Sequence, residues 1–379
     1  MKKIGIDARF FGEAGPGRYT KDIVEHLEKL DTTNKYFIFL RKKNYNNFNP
    51  KNPNFIKVLA DYSWYSFAEQ TLFLIKILKY RLDLYYVPHF NIPIFYPFKL
   101  VTAIPDMIMH TYSTEKGTTL PKPYFKFKKL VYKVVFLWAV IRSKKIIVPT
   151  KDVIEDFKKI YPYINSSKYV LAYEGVDPDL LQLDPAVNPQ AIMNKYHVQK
   201  PFLLYVGSAY EHKNIPILVD AFKLLVEKYN FLGQLLIVGK KDKFSQRLKN
   251  YVDELGLSDK VLLPGLANFV IDKEVVALRT QAVTYVFPSL KEGFSLTPME
   301  AQVLGIPSVI SNISCHQEIY GDSVQYFDPY NKKDIAQKIN LVLTNEDLKQ
   351  KLIQKGYETV KKFNWEETAR ITLDVFEKA

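Results

Sequence analysis

Short apolar runs and longer stretches of helical spacing alternate along almost the whole chain. Residues 3–7, 36–40, 55–59, 84–87, 100–104 and 144–148 are mostly apolar runs of four or five positions. Runs that short and that uniform read as strands buried on both faces. Between the first two, Tyr19, Ile23, Val24, Leu27 and Leu30 line up along one helical face, which predicts a helix over 18–30. Ahead of it, residues 8–17 read as a loop holding Gly12, Gly15 and Gly17. Strand, glycine-rich loop and helix is the plan by which doubly wound sheets cradle phosphate. The glycine spacing here is neither Gly-x-Gly-x-x-Gly nor a P-loop, so a tight loop without a ligand is an equal alternative.

The plan restarts further on. Residues 184–200 carry Pro185, Pro189 and a short polar helix, and read as an interdomain linker. Apolar runs then recur at 202–206, 234–238, 261–263, 282–287, 308–310 and 324–327, with helical patterns between them. Asn364-Trp365-Glu366-Glu367 resembles a capping box that opens a last helix to Ala379. The chain is therefore expected to be α/β, with one doubly wound domain over 1–185 and a second over 186–362. The helix over 363–379 is expected to pack back on the first domain.

One stretch draws the second half together. After the strand at 282–287, Glu292 and Glu300 flank a turn and a helix start. Gly293 frees the turn, Ser295 or Thr297 can cap, Pro298 suits the first helical turn, and Gly305 stops the helix before Pro307. Free N–H groups at a helix start, together with the macrodipole, favour an anion. A phosphate seat with a carboxylate on each side suits a nucleotide-linked sugar.

Composition narrows the class without changing this outline. The 379 residues are 47% apolar and 25% charged, as in ordinary globular proteins. Residues 1–7 already read as a strand, which argues against a signal peptide, and no apolar run is long enough to cross a bilayer. A lone Cys315 leaves no intramolecular disulfide and suits a reducing interior. The formal charge of +13 must meet something acidic: nucleic acid, anionic lipid or a phosphorylated substrate. Residues 117–151 hold nine basic and no acidic residues, mixed with aromatic and aliphatic ones. That stretch reads equally as a basic helix lying on an anionic membrane or as a packed helix with a solvated basic face. No nucleic-acid-binding module accompanies it, which sets nucleic acid aside.

Other polar positions fall at strand ends, where doubly wound sheets bind ligands. His89 follows the run at 84–87 and Asp106 follows the run at 100–104; an isolated His there is more often structural. Lys213, in the loop after residue 206, stands where a cation could meet phosphate oxygens. Asp177-Pro178-Asp179 has the Asp-x-Asp form that carries metal in another class of sugar transferase, but Pro178 and the preceding Gly175 make a turn the better reading.

Two such domains with Glu292-x7-Glu300 in the second resemble the family-4 retaining glycosyltransferases of GT-B fold, also called glycosyl transferases group 1. The resemblance covers nearly the whole chain. It is carried by Gly15-Pro16-Gly17-Arg18-Tyr19-Thr20, Tyr173-Glu174-Gly175-Val176, Tyr205-Val206-Gly207-Ser208, Lys213-Asn214, residues 288–305 and Phe363-Asn364-Trp365.

The resemblance implies two Rossmann-like domains facing across a cleft, closing over a nucleoside-diphosphate sugar. It implies that Gly15 and Gly17 admit the donor diphosphate and that Lys213, with His212 where many relatives have Arg, neutralises it as it leaves. Gly207 and Ser208 join the binding set, and backbone around Gly265 and Ala267 borders the base. Glu292 takes the sugar hydroxyls, Phe294, Ser295 and Leu296 present N–H groups to sugar and phosphate, and Glu300 accepts from the ribose. Asp106 stands where relatives often have His-Asp; here Pro105 precedes it, so only the Asp role, toward donor sugar or acceptor, carries over, and neither His89 nor His110 replaces the His.

The implied catalytic set is Glu292, Lys213 and Asp106. The implied reaction retains configuration without a protein nucleophile, metal or cofactor, and the two glutamates are not a glycosidase dyad. The expected donor is GDP-mannose and the product a cell-envelope polysaccharide. UDP-glucose, UDP-galactose and UDP-N-acetylglucosamine are alternative donors, and the acceptor is a glycan or lipid-linked glycan. The expected location is the cytoplasm, at the inner face of the cell membrane. A GT-B epimerase or hydrolase and a non-catalytic sugar-nucleotide binder are the rival readings.

Overall fold

The short apolar runs form parallel strands in the computed structural model of the chain, which describes residues 1–112, 122–176 and 181–379. Asp177 and Asp179, and residues 117–121 of the basic stretch, lie outside the described residues. Two compact units are present: Met1–Glu174 with Asn364–Ala379, and Gly175–Phe363. The boundary expected after 185 falls inside the second unit, because chain from Gly175 onward already packs with it.

In the first unit the strands are β1 (Lys3–Asp7), β2 (Lys35–Leu40), β3 (Phe55–Leu59), β4 (Leu84–Val87), β5 (Leu100–Ala103), β6 (Lys145–Val148) and β7 (Tyr169–Leu171). Among the described residues they make a seven-stranded parallel sheet in the order β3-β2-β1-β4-β5-β6-β7. Every residue of β4 and β5 is buried, as strands covered on both faces must be. Phe39, Phe73, Tyr85, Phe136 and Phe157 fill one side of it. At the sheet edge, β7 has only three residues, too few to stand out as an apolar run.

The glycine loop differs from expectation. The first helix runs Ala14–Leu30, so Gly15 and Gly17 lie in its first turn and only Gly12, at φ 74°, remains in the loop. Pro16 lacks an N–H, which costs nothing in a first turn where N–H groups have no helical partner. Gly17 is explained by packing: a Cβ there would collide with the Phe10 carbonyl oxygen. Next to this turn sits a buried ionic cluster, with Arg9 paired to Asp7 at 2.7 Å and to Glu69 at 2.5 Å. Asn91 Nδ2 donates to Glu69 at 2.7 Å, and the guanidinium lies 4.0 Å from the Phe73 ring centre.

The C-terminal helix, Trp365–Lys378, belongs to this unit. Asn364 caps it by accepting from Glu367 N at 2.8 Å. Trp365 packs edge-on to Tyr19 and Phe376 against Tyr86, while Lys2 Nζ donates to the Phe376 carbonyl at 2.9 Å.

The second unit contains β8 (Phe202–Val206), β9 (Gln234–Val238), β10 (Val261–Leu262), β11 (Thr284–Phe287), β12 (Ser308–Ser311) and β13 (Gln325–Phe327). Their order is β10-β9-β8-β11-β12-β13, all parallel. The order reverses between β8 and β11, so the loops after these two strands flank the point where such sheets bind ligands.

The Arg9 cluster generates a stability prediction. Arg9→Met strands two buried carboxylates without their cation, and should destabilise the first unit by about 3–5 kcal/mol. Urea denaturation followed by tyrosine and tryptophan fluorescence reads this as one transition moving to lower denaturant; an unmoved transition would contradict it.

Candidate functional site

The loops after β8 and β11 are stitched together by one backbone bond and by the Asn214 side chain. After β8 a turn at Glu211–Lys213 ends at Asn214 in the left-handed conformation, φ 58°, which Asn tolerates better than most residues. Asn214 Nδ2 donates to the carbonyls of Pro329 at 2.8 Å and Pro288 at 3.3 Å, and Leu290 N donates to His212 O at 2.7 Å. These bonds bring Lys213 Nζ to 2.6 Å from Glu292 Oε1, although 79 positions separate them.

Glu292 is only 6% exposed. Burial pushes its carboxyl up, but the charge and hydrogen bond of Lys213 outweigh this and hold it below the ordinary range. Burial pushes His212 down to about 4 against the pull of Glu292, so its imidazole is neutral near pH 7. Lys213 therefore supplies the positive charge of this pair of neighbours, and His212 can contribute a hydrogen bond.

The helix after Glu292 runs Leu296–Val303, with Pro298 in its first turn and Gly305 at φ 70° past its end. Ser295 occupies the cap position but does not cap, and Thr297 lies inside the helix, so neither expected cap forms. Ser295 sits at φ 75°, a conformation costing about 1–3 kcal/mol for a non-glycine residue. Its hydroxyl turns away from the helix to lie 3.0 Å from His316 Nε2, and its carbonyl accepts from the Tyr320 hydroxyl. His316 Nδ1 is in turn 2.8 Å from the Ser311 carbonyl oxygen. Phe294 is buried edge-on against Phe363. The helix start is thus held from behind by Ser311, His316 and Tyr320. No local sequence signal marks these three, because each acts through its place in the fold.

Glu300 is buried and paired with Arg279 Nη2 from the helix Asp272–Arg279. Both side chains are 4% exposed, and Arg279 was not legible as a partner in the sequence.

A third feature lies at the ends of β8, β9 and β10. Gly207, Gly239 and Gly265 stack so closely that a Cβ on Gly239 would collide with the Gly207 carbonyl oxygen, and one on Gly265 with that of Gly239. The stack lines a shallow pocket with Ala209, Lys240 and Leu266. Ser208 presents its carbonyl to the Tyr205 hydroxyl at 2.8 Å, and Ala267 is exposed.

In the first unit, Pro16, Tyr19, Pro105, Pro149 and Glu174 line one small pocket. Pro16 lies between Gly15, which is exposed, and Gly17, which is buried; Pro105 precedes Asp106. Asp106 Oδ1 accepts from Ile108 N at 2.9 Å. His89 is buried between Phe10 and Phe90 and accepts from Asn91 N at 3.1 Å, while His110 bridges the hydroxyls of Tyr132 and Tyr161. Burial pushes both histidines down to about 4.

Residues 191–359 match the family described as Glycosyl transferases group 1. The chain carries a group 1 glycosyltransferase domain. It is 29% identical over 188 residues to the serotype-specific mannosyltransferase WbdA of Escherichia coli, covering 49% of this chain and 23% of that one. Against the O-antigen chain mannosyltransferase RfbU of Salmonella typhimurium it is 26% identical over 216 residues, 56% of each chain. The chain therefore spans at most about half the length of these curated relatives. A solved structure, Anabaena Alr3699/HepE in complex with UDP and glucose, matches with a TM-score of 0.76 at 15% identity over the full length of both chains. At that identity the likeness establishes the fold, which is GT-B. Lys213, Glu292, Glu300, Gly207, Gly265 and the 294–296 turn all fall inside the group 1 domain; Gly15, Gly17 and Asp106 fall outside it.

Glu174 yields a pH prediction. Burial, with Asp22 and Asp106 adding and Arg18 opposing, pushes its carboxyl from 4.5 up to about 8. The folded group stays protonated at neutral pH while the unfolded one is ionised. Its contribution to stability is therefore complete below about 4.5 and is lost as pH rises through about 8. Glu174→Gln should gain in urea midpoint relative to the wild type as pH rises across that window. A constant difference would show that Glu174 is ionised in the fold.

Proposed function

We propose that the protein is a retaining glycosyltransferase that moves a hexose from a nucleoside-diphosphate sugar to a glycan or lipid-linked acceptor in polysaccharide synthesis. The observation that carries this reading is the pairing of half-buried Lys213 with buried Glu292, just ahead of the Leu296–Val303 helix. Lys213 meets the diphosphate and its growing charge as the sugar leaves, with His212 as a neutral hydrogen-bond donor. As its ammonium turns to phosphate, Glu292 is released to accept from the sugar hydroxyls. Backbone N–H groups of Phe294, Ser295 and Leu296 take phosphate and sugar oxygens. Glu300, oriented by Arg279, accepts from the ribose, and the base lies on the glycine stack that includes Gly207 and Gly265, beside Ser208.

The acceptor hydroxyl attacks the anomeric carbon on the face the nucleotide leaves. The C–O bond to phosphate breaks, and a phosphate oxygen of the departing nucleotide takes the hydroxyl proton. Lys213 does the work a metal would otherwise do. Gly15 and Gly17 are assigned to the donor diphosphate, and Asp106 to the donor sugar or acceptor.

Mannose from GDP-mannose is the proposed donor, favoured by the mannosyltransferases among the relatives. The UDP and glucose in the HepE complex make UDP-hexoses the necessary comparison. A lipid-linked acceptor would set the enzyme to work peripherally at the cytoplasmic face of the cell membrane.

The test is nucleotide release from GDP-mannose and UDP-hexoses, with and without lipid-linked acceptor, followed by the anomeric configuration of the product by NMR. Lys213→Ala should lower kcat by about 10²–10³, and Glu292→Gln by a similar factor, with circular dichroism unchanged. Release from no donor, or full turnover by Glu292→Gln, would overturn the reading. Epimerised or hydrolysed sugar as the main product would favour the rival enzyme class.

A further inference from the structure

The helix Lys122–Arg142 has two apolar faces. Val135, Phe136, Ala139 and Val140 are buried in the first unit. Phe127, Leu130, Val131, Val134, Trp138 and Ile141 are exposed, from 39% at Trp138 to 62% at Phe127. At 3.6 residues per turn these six fall within roughly 100° of arc, on the side away from the buried four. On the same geometry Lys126 and Lys133 flank the stripe on one side and Lys128 on the other, all three exposed.

A second segment widens the face. Trp138 Nε1 donates to the Ile94 carbonyl at 2.8 Å and Arg142 Nη2 to the Pro97 carbonyl at 3.1 Å. This seats Phe95 and Phe98, 76% and 56% exposed, beside the end of the helix.

Single exposed apolar residues are ordinary, but a continuous stripe of large ones marks an interaction surface. The charge around it decides the partner. Residues 117–151 contain no acidic side chain, so the lysines bordering the stripe act with one sign. Protein interfaces favour arginine and deplete lysine. Aromatic and aliphatic side chains between lysines whose stems run along the apolar layer are suited to a lipid headgroup boundary. The helix lies on such a surface and does not cross it: among the described residues no helix is long and apolar enough to span a membrane.

We infer that this face, with Phe95 and Phe98, seats in the interfacial layer of an anionic bilayer. Phe127, Leu130, Val134 and Trp138 enter the acyl boundary while Lys126, Lys128 and Lys133 reach the phosphate headgroups. The inference rests on the lipid-linked acceptor reading for which membrane is meant, while the binding itself stands apart from the transfer chemistry.

The experiment is flotation of the full chain with phosphatidylcholine vesicles, with and without phosphatidylglycerol. The protein should float with the anionic vesicles and release as salt rises. Brominated lipids should quench tryptophan emission, and Trp138→Phe should remove that quenching. Leu130→Glu with Val134→Glu should weaken binding by about tenfold or more, and each of Lys126→Ala, Lys128→Ala and Lys133→Ala by about fivefold at low salt. These variants should keep wild-type circular dichroism and wild-type nucleotide release with a short soluble glycan acceptor. A transferase that turns over in solution yet ignores anionic vesicles would overturn the inference and leave the proposed function standing. Flotation by a protein that turns over no donor would uphold the inference and sink the function. A double variant that floats like the wild type, or sedimentation showing that the stripe instead joins two copies of the chain, would also overturn it.

Discussion

The contact between Lys213 and Glu292 organises the second unit's site. A carboxylate buried to this degree is tolerated only when paired and hydrogen-bonded. Lys213 meets that requirement from a loop on another strand, and the two loops are locked by Asn214 and by the Leu290–His212 backbone bond. The arrangement fixes the Lys213 ammonium on Glu292, just ahead of the Leu296–Val303 helix. In the proposed reaction an arriving phosphate competes with Glu292 for the one ammonium group.

Behind that pair lies a layer whose only evident task is to hold backbone. Ser295 occupies a strained conformation, and buried contacts from His316 and Tyr320 fix it there. Strain of this kind persists only where neighbours over-determine it, and it tends to cluster at functional sites. The Ser295 hydroxyl, expected to cap the helix, is used instead to anchor the turn. Arg279 does for Glu300 what Lys213 does for Glu292, except that its pairing is fully buried.

The first unit shows how much a motif can conceal. Gly17 read as a residue that admits a phosphate, yet the Phe10 carbonyl already requires a glycine there. The helix reaches back to Ala14 because Pro16 and two glycines can occupy a first turn, where sequence spacing alone starts the helix at the first apolar residue. Glu174 stood in a recognised motif without a chemistry attached; only its burial beside Asp106 and Asp22 makes it a carboxylic acid at neutral pH.

Much of the fold was legible in the residues themselves. Strands buried on both faces need uninterrupted apolar side chains, so the runs ending at Asp7, Leu40, Val87, Val206, Val238 and Phe287 could be read directly. Only β7, three residues long at an edge, escaped. Lys213 and Glu292 stood out as candidates because they lie in loops after strands, where such sheets bind ligands, and Glu300 because it follows on the next helix. Their partners were not. Lys213 with Glu292, Arg279 with Glu300, His316 with Ser295, and the choice of which apolar face of Lys122–Arg142 is buried all join positions through strand order and packing. Periodicity reports only a residue's own element, whereas these contacts depend on which elements become neighbours, and that was decided by the tertiary structure.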